Sequence, residues 1–170
     1  MRMIVDAVDW ISRAAAYVAA AILVFMVGHI LLEIVLRNLF DTSTFVTAEF
    51  VGYGVAAMTY LGLAFSLRTG ALIRVNMLLV RLHGPARRAA EMLCVAMTLA
   101  LTVFLGWYFW RQLARDYTRG TVSYSIAEVP VWIPEGLVFA GIALFGLQLF
   151  AYLVRLGLGD PPIAEDVGGE

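Results

Sequence analysis

Four long apolar segments constrain this chain more than any other feature of its sequence. They lie at about 14–36, 46–67, 89–110 and 132–154, and each has the roughly 20 apolar residues that a helix needs to cross a membrane. Four crossings use most of the 170 residues and leave no room for an extramembrane domain. Hydrophobic residues make up 62% of the chain, which excludes an ordinary soluble domain. We therefore predict an all-α polytopic membrane protein with one four-helix domain over residues 1–156.

A basic connector, residues 68–88, separates the second apolar segment from the third and carries five of the twelve basic residues. Arg74 and Arg81 are seven residues apart, so on a helix they share one face, and most of their neighbours are apolar. Such a helix lies along a membrane surface. The alternative is an ordinary connector whose arginines hold it in the cytoplasm. We favour an amphipathic surface helix here.

The distribution of arginines predicts the orientation of the chain. Eight arginines lie in the two termini and the connector, against four in the other two loops. By the positive-inside rule, both termini are cytoplasmic. The tail, 157–170, holds four acidic residues and two prolines, and we expect it to be disordered. The net charge of −1 argues against a nucleic-acid partner.

Ionisable residues in the first span follow one another at steps of four. His29, Glu33 and Arg37 therefore share one face of the helix. An ionisable residue inside a span is by default a functional candidate, such as a proton relay. Because Glu33 lies one turn from the interface with Arg37 in reach, we favour a structural ion pair. The second histidine, His83, belongs to the connector, so we expect His29 to pack and not to bind haem.

Glu49 stands in the first turn of the second span, where a carboxylate suits the helix N-terminus. We also expect it to lie close enough along the hairpin to meet Arg37. This span carries many small residues, which either let helices approach closely or reflect the general glycine content of membrane helices. The residues concerned are Gly52, Gly54, Ala56, Ala57, Gly62 and Ala64.

A stripe of cations ends the third span. Arg111, Arg115 and Arg119 follow Trp107 at steps of four, and Gly120 is expected to stop the helix. Cations at this end complement the helix dipole, which is the interpretation we favour. The alternative is a basic strip offered to a partner outside the membrane.

Motifs of enzyme chemistry are absent from the sequence, including phosphate loops, paired metal-ligand motifs and dinucleotide fingerprints. The apolar segments also lack the central breaks that often form a transporter's own substrate site. These observations favour a scaffold or accessory subunit with no cofactor and no enzymatic activity.

The order of several short motifs resembles the small membrane subunit of tripartite ATP-independent periplasmic (TRAP) transporters. Arg37 with Phe40 is similar to the exit of that family's first span, and Glu49 to the acid that opens its second. The stretch GLAFSLRTG at 62–70 is similar to the approach to its connector. The fourth span and its entry are similar at Gly120, Ser123, Ser125, Pro130, Trp132, Gly141 and Gln148.

The resemblance implies a complex of three proteins in the bacterial inner membrane. A periplasmic solute receptor captures an organic acid, and a large subunit moves it with sodium coupling and holds the transport sites. The small subunit anchors the scaffold of the large one among membrane lipids. Its interface or structural residues would be Arg37, Glu49, Gly62, Arg68, Arg74, Arg81, Pro130, Trp132 and Gly141. The receptor would face Arg111, Arg115 and Arg119.

Two other functions compete with this interpretation. A haem-binding membrane anchor of a redox complex normally needs two axial ligands, and only His29 is available in a span. A stand-alone small transporter would need broken helices or paired charges inside the membrane.

Overall fold

The computed structural model describes residues 2–70 and 85–158, with side chains over 8–70 and 86–158. These residues form four helices: α1 (Arg2–Phe40), α2 (Thr47–Arg68), α3 (Pro85–Arg119) and α4 (Trp132–Leu158). All four are long and apolar enough to cross a membrane, which confirms the predicted all-α polytopic class. The predicted surface helix, with Arg74 and Arg81, and the tail from residue 159 lie outside the described residues.

The outer helices extend well past the apolar segments. α1 has 39 residues and α3 has 35. At a rise of about 1.5 Å per residue, they are about 58 Å and about 52 Å long, whereas the hydrocarbon core is about 30 Å thick. Each outer helix is therefore longer than the thickness of the hydrocarbon core.

The helices pack in the order α1–α2–α4–α3. α2 packs against both α1 and α4, and α3 packs against α4. α1 touches α4 less extensively, and within the described residues α1 and α3 do not pack together. This row leaves broad apolar faces uncovered on the two outer helices, as at Val24 of α1 and Phe104 of α3, which are 72% and 66% exposed.

Small residues on one face of α2 allow this close packing. Ala57 and Ala64 are almost fully buried, and a Cβ on Gly54 would overlap the side chain of Met26 on α1. Gly62, by contrast, has nothing within 4 Å of a Cβ position. The small-residue surface is therefore real on one face of α2, but Gly62 is not part of it.

The crossing of α2 and α4 depends on another glycine. A Cβ on Gly141 would lie 2.5 Å from the carbonyl carbon of Tyr60 and 2.7 Å from its oxygen. Real Cβ atoms essentially never come that close to backbone atoms. Gly141 therefore sets the separation of the two central helices.

Candidate subunit-interface sites at the two ends of the bundle

Polar side chains of the bundle collect at two opposite ends. The Asp9 end is where α1 begins, α2 ends, α3 begins and α4 ends. The Glu33 end contains the loop 41–46 between α1 and α2 and the turn 120–131 between α3 and α4.

A single carboxylate holds the first loop at the Glu33 end. Glu33 is only 6% exposed and accepts hydrogen bonds from Arg37 Nε at 2.8 Å, Thr44 N at 3.0 Å and Thr44 Oγ1 at 2.7 Å. Thr47 Oγ1 donates at 3.1 Å, and the hydroxyl of Ser43 donates as well. The charge is thus satisfied inside the protein. The predicted ion pair between Glu33 and Arg37 is confirmed.

These hydrogen bonds to Glu33, which we call the Glu33 clamp, fix a loop whose backbone is unusual. Asp41 and Phe45 adopt φ values of 49° and 60°, a left-handed region that residues other than glycine rarely occupy. The hydroxyl of Ser43 accepts from the Phe45 amide at 3.1 Å while it donates to Glu33. The strained loop is therefore held by the same network that neutralises the carboxylate.

His29 continues the network one turn earlier on α1. Its Nε2 lies 3.4 Å from Thr47 Oγ1, and its ring lies 6.0 Å from that of Phe25 and 5.9 Å from that of Phe50. The expectation of a packed histidine is confirmed. Within the described residues, no group of three histidine, cysteine or acidic side chains could hold a metal ion.

The expected contact between Arg37 and Glu49 is wrong. Arg37 is occupied by Glu33 and by Ser43, whose hydroxyl lies 3.3 Å from the guanidinium. Glu49 accepts instead from the hydroxyl of Tyr53 at 2.8 Å, one turn along α2. The physical reason is that Glu33 reaches Arg37 along the same helix, without any contribution from the loop.

Glu49 lines an acidic cavity of about 390 Å³ at the Glu33 end, together with Asp116 of α3 and Glu135 of α4. The Oε2 atoms of Glu49 and Glu135 are both buried. The cavity therefore brings one carboxylate from each of three helices to the same end of the bundle.

The turn after α3 begins with the predicted helix stop. Gly120 has a φ of 61°, its amide donates to Tyr117 O at 3.3 Å, and the amide of Thr121 donates to Asp116 O at 3.1 Å. This pair of bonds is the Schellman motif, which favours glycine. The side chain of Asp116 accepts from Gln112 and Thr121, both at 3.0 Å.

The three arginines of the stripe are exposed. Arg115 donates to Gln112 at 2.7 Å, whereas Arg111 and Arg119 make no hydrogen bond or ion pair to any described residue. Their guanidiniums are free to meet a partner, and a role in receptor contact stays a prediction.

Pro130 and Trp132 position the start of α4. Pro130 pairs with Val122 in an isolated antiparallel bridge, and Trp132, 39% exposed, lies edge-on to Tyr117 of α3 at 5.6 Å. The structure thus brings these two predicted residues together with the end of α3. Their role in assembly stays a prediction.

One carboxylate also joins three helices at the Asp9 end. Asp9 Oδ2 of α1 lies 3.2 Å from Arg68 Nε of α2 and 3.3 Å from a guanidinium nitrogen of Arg155 on α4. Its Oδ1 accepts from Gln148 Nε2 at 3.1 Å. Ser12, fully buried, donates to Val8 O at 2.9 Å and lies 3.5 Å from Gln148 Oε1.

Two further contacts attach α3 to α4 at this end. Arg88 Nε donates to the carbonyl of Leu156 at 3.0 Å, and the hydroxyl of Tyr152 donates to Glu91. Sequence reasoning singled out Arg68 but missed Asp9, Arg88 and Arg155 as a set of interhelical contacts. The available signal was Gln148, a lone amide in an apolar span that needed a polar partner.

Comparison with known proteins identifies the family of the chain. The family model "Tripartite ATP-independent periplasmic transporters, DctQ component" matches residues 26–157, which include nearly all of α2 to α4. A curated relative, the ectoine TRAP transporter small permease protein TeaB of Halomonas elongata, is 24% identical over 136 residues, which is 78% of this chain and 70% of the relative. No solved structure matches significantly. With four membrane-spanning helices and a family match over most of its length, the chain belongs to the DctQ family of small permease subunits of TRAP transporters.

Proposed function

We propose that this chain anchors and scaffolds the large subunit of a TRAP transporter in the bacterial inner membrane. That partner would take up an organic acid by sodium-coupled secondary active transport, after delivery by a periplasmic solute receptor. The sodium and substrate sites would lie in the large subunit. The observation that carries the proposal is a row of helices that is clamped at both ends and apolar along its outer faces.

The clamps supply the rigidity that a scaffold needs. At one end Asp9 joins α1, α2 and α4, and at the other Glu33 fixes the loop between α1 and α2. Polar groups that are mutually satisfied in this way favour one arrangement of the helices. A transport subunit that changes conformation could therefore brace against this row.

The uncovered faces supply area for a partner. Val24 and Phe25 on α1, and Met97, Val103 and Phe104 on α3, are all more than 60% exposed. Association of helices in lipid depends on shape and close packing, because lipid tails are as apolar as these side chains. A large membrane subunit could pack along either outer helix.

The competing role as a haem-binding anchor of a redox complex has little support. His29 lies between two aromatic rings and next to a hydroxyl. Use of its ring as a haem ligand would require this packing to be dismantled. We therefore propose a transporter subunit that is not an enzyme and carries no cofactor.

Substrate and orientation belong to the proposal too. The name of the relative TeaB refers to ectoine, and for this chain we propose only the broader class of organic acids. The arginine count supports an orientation with the Asp9 end in the cytoplasm. The Glu33 end, with the cation stripe of α3, would then face the receptor in the periplasm.

Co-purification tests this function. The tagged chain, extracted gently from its native membrane, should bring a large polytopic membrane protein in constant proportion, and deletion of either subunit should abolish uptake of the receptor's ligand. A haem absorbance spectrum, a redox partner, or uptake by this chain alone in liposomes would each contradict the proposal.

A further inference from the structure

A groove of about 600 Å³ opens between α1 and α2 at the Asp9 end. Two cationic side chains, Arg13 and Arg68, line it together with the apolar surface of Ala16, Ala20 and Phe65. Its lining therefore combines positive charge with an apolar wall.

The positive charge of this groove exceeds what the described residues neutralise. Arg13 is exposed and makes no hydrogen bond or ion pair with any described residue. Arg68 does pair with Asp9, but Asp9 is shared with Arg155. Among the described residues, one carboxylate thus serves two guanidiniums and the third guanidinium has no counter-charge, so the groove attracts anions.

The depth of the groove matches the headgroup region of a bilayer. The first apolar segment begins at about residue 14, so Arg13 lies at the boundary between this segment and the polar residues before it. Tyr17 follows one turn later on the same face and is 78% exposed. An exposed tyrosine is typical of the membrane–water interface. Ala16 and Ala20, also one turn apart, leave shallow space along the wall.

We propose that this groove binds one anionic phospholipid of the surrounding bilayer. Its phosphate would lie between Arg13 and Arg68, since guanidinium groups bind phosphate oxygens in paired hydrogen bonds. One acyl chain would follow Ala16, Ala20 and Phe65 toward the middle of the membrane. Basic pockets between membrane helices are suited to such headgroups. A lipid fits better than a protein segment because the exposed guanidinium of Arg13 lies where headgroup phosphates are abundant.

Lipid retention by the purified full-length chain, free and in its complex, tests the proposal. Delipidated protein would be titrated with dioleoylphosphatidylglycerol or dioleoylphosphatidylcholine, and bound lipid counted by native mass spectrometry. We expect one tight phosphatidylglycerol that phosphatidylcholine does not replace. Arg13→Gln should weaken this binding about fivefold, as expected for one arginine at an anionic surface. Arg13→Lys should retain most of it.

Arg87→Gln is the matched control, because Arg87 is also an exposed arginine at the Asp9 end but belongs to α3, away from the groove. Equal losses in Arg13→Gln and Arg87→Gln would show a diffuse basic surface and overturn the proposal. Equal retention of the two lipids by the unmodified chain would overturn it as well. So would a phosphatidylglycerol preference that is present in the free chain and absent from the complex, since a protein partner would then occupy the groove.

Discussion

Arg68 at the end of α2 lies 3.2 Å from the carboxylate of Asp9 near the start of α1, and the same carboxylate lies 3.3 Å from Arg155 near the end of α4. Helices that are far apart in the sequence are thus joined at one point. Asp9 is 14% exposed at its side chain, and the two arginines are 22% and 32% exposed. The pairs are therefore shielded from much of the solvent screening that weakens surface ion pairs.

Asp9→Asn should destabilise the bundle. The amide keeps the size of the side chain but leaves two guanidiniums without a counter-charge, at a cost of about 1–2 kcal/mol in the free energy of unfolding. Thermal unfolding in detergent would measure this loss. Asp41→Asn is the control, since Asp41 is exposed and unpaired in the described residues and asparagine tolerates its positive φ. Equal stability of the two variants would refute the structural role of Asp9.

Glu33→Gln should loosen the loop between α1 and α2. A carboxamide replaces one acceptor oxygen with a donor nitrogen, which would then face the donors of Thr44, Thr47 or Arg37. We expect amide exchange in the loop to accelerate about tenfold, with little change in the middle of the helices.

Hydrogen–deuterium exchange of peptides that cover 41–46 would report this change. The matched control is Glu128→Gln, an exposed acid in the turn that follows α3, which should leave that exchange unaltered. Unchanged protection of the loop in Glu33→Gln would mean that its backbone holds itself without the carboxylate.

Gly141→Ala should force α2 and α4 apart. The added Cβ would lie 2.5–2.7 Å from backbone atoms of Tyr60, which cannot rotate away as a side chain could. Overpacking of this kind typically costs about 1–3 kcal/mol. Gly136→Ala, on the same helix but with nothing within 4 Å, should be neutral. Thermal stability and the amount of large subunit that co-purifies should both fall in Gly141→Ala, and neither should fall in Gly136→Ala. Similar values for the two variants would rule out the close crossing.

Features that depend on neighbouring positions of the chain could be predicted from the sequence. The four spans follow from apolar length, the Glu33–Arg37 pair from a step of four on one helix, and the end of α3 from Gly120. The Asp9 contacts could not be predicted, because Arg68 is 59 residues away and Arg155 is 146 residues away. Such contacts depend on which helices are neighbours, and periodicity does not reveal the order α1–α2–α4–α3.

The same limit explains the mixed outcome for the small residues of α2. Composition predicts a surface that allows close approach, but it does not say which face meets α1. Gly54 lies on that face and Gly62 does not. The wrong prediction of an Arg37–Glu49 contact has a different cause. Glu33 lies on the same helix as Arg37, and it pairs with Arg37 in place of the more distant Glu49.

Reversal of charge in the stripe on α3 tests the proposed receptor-facing role. Arg111 and Arg119 are exposed and unpaired within the described residues, so Arg111→Glu with Arg119→Glu should leave the fold and the large subunit in place. Receptor-dependent uptake should slow by roughly tenfold at low salt, because charges at the edge of an interface act mainly on the rate of association. Arg87→Glu, at the other end of α3, is the control for a charge reversal outside the stripe. If uptake is unaffected by the double reversal, or is reduced equally in the control, the stripe has no receptor-facing role. It would then only complement the helix dipole.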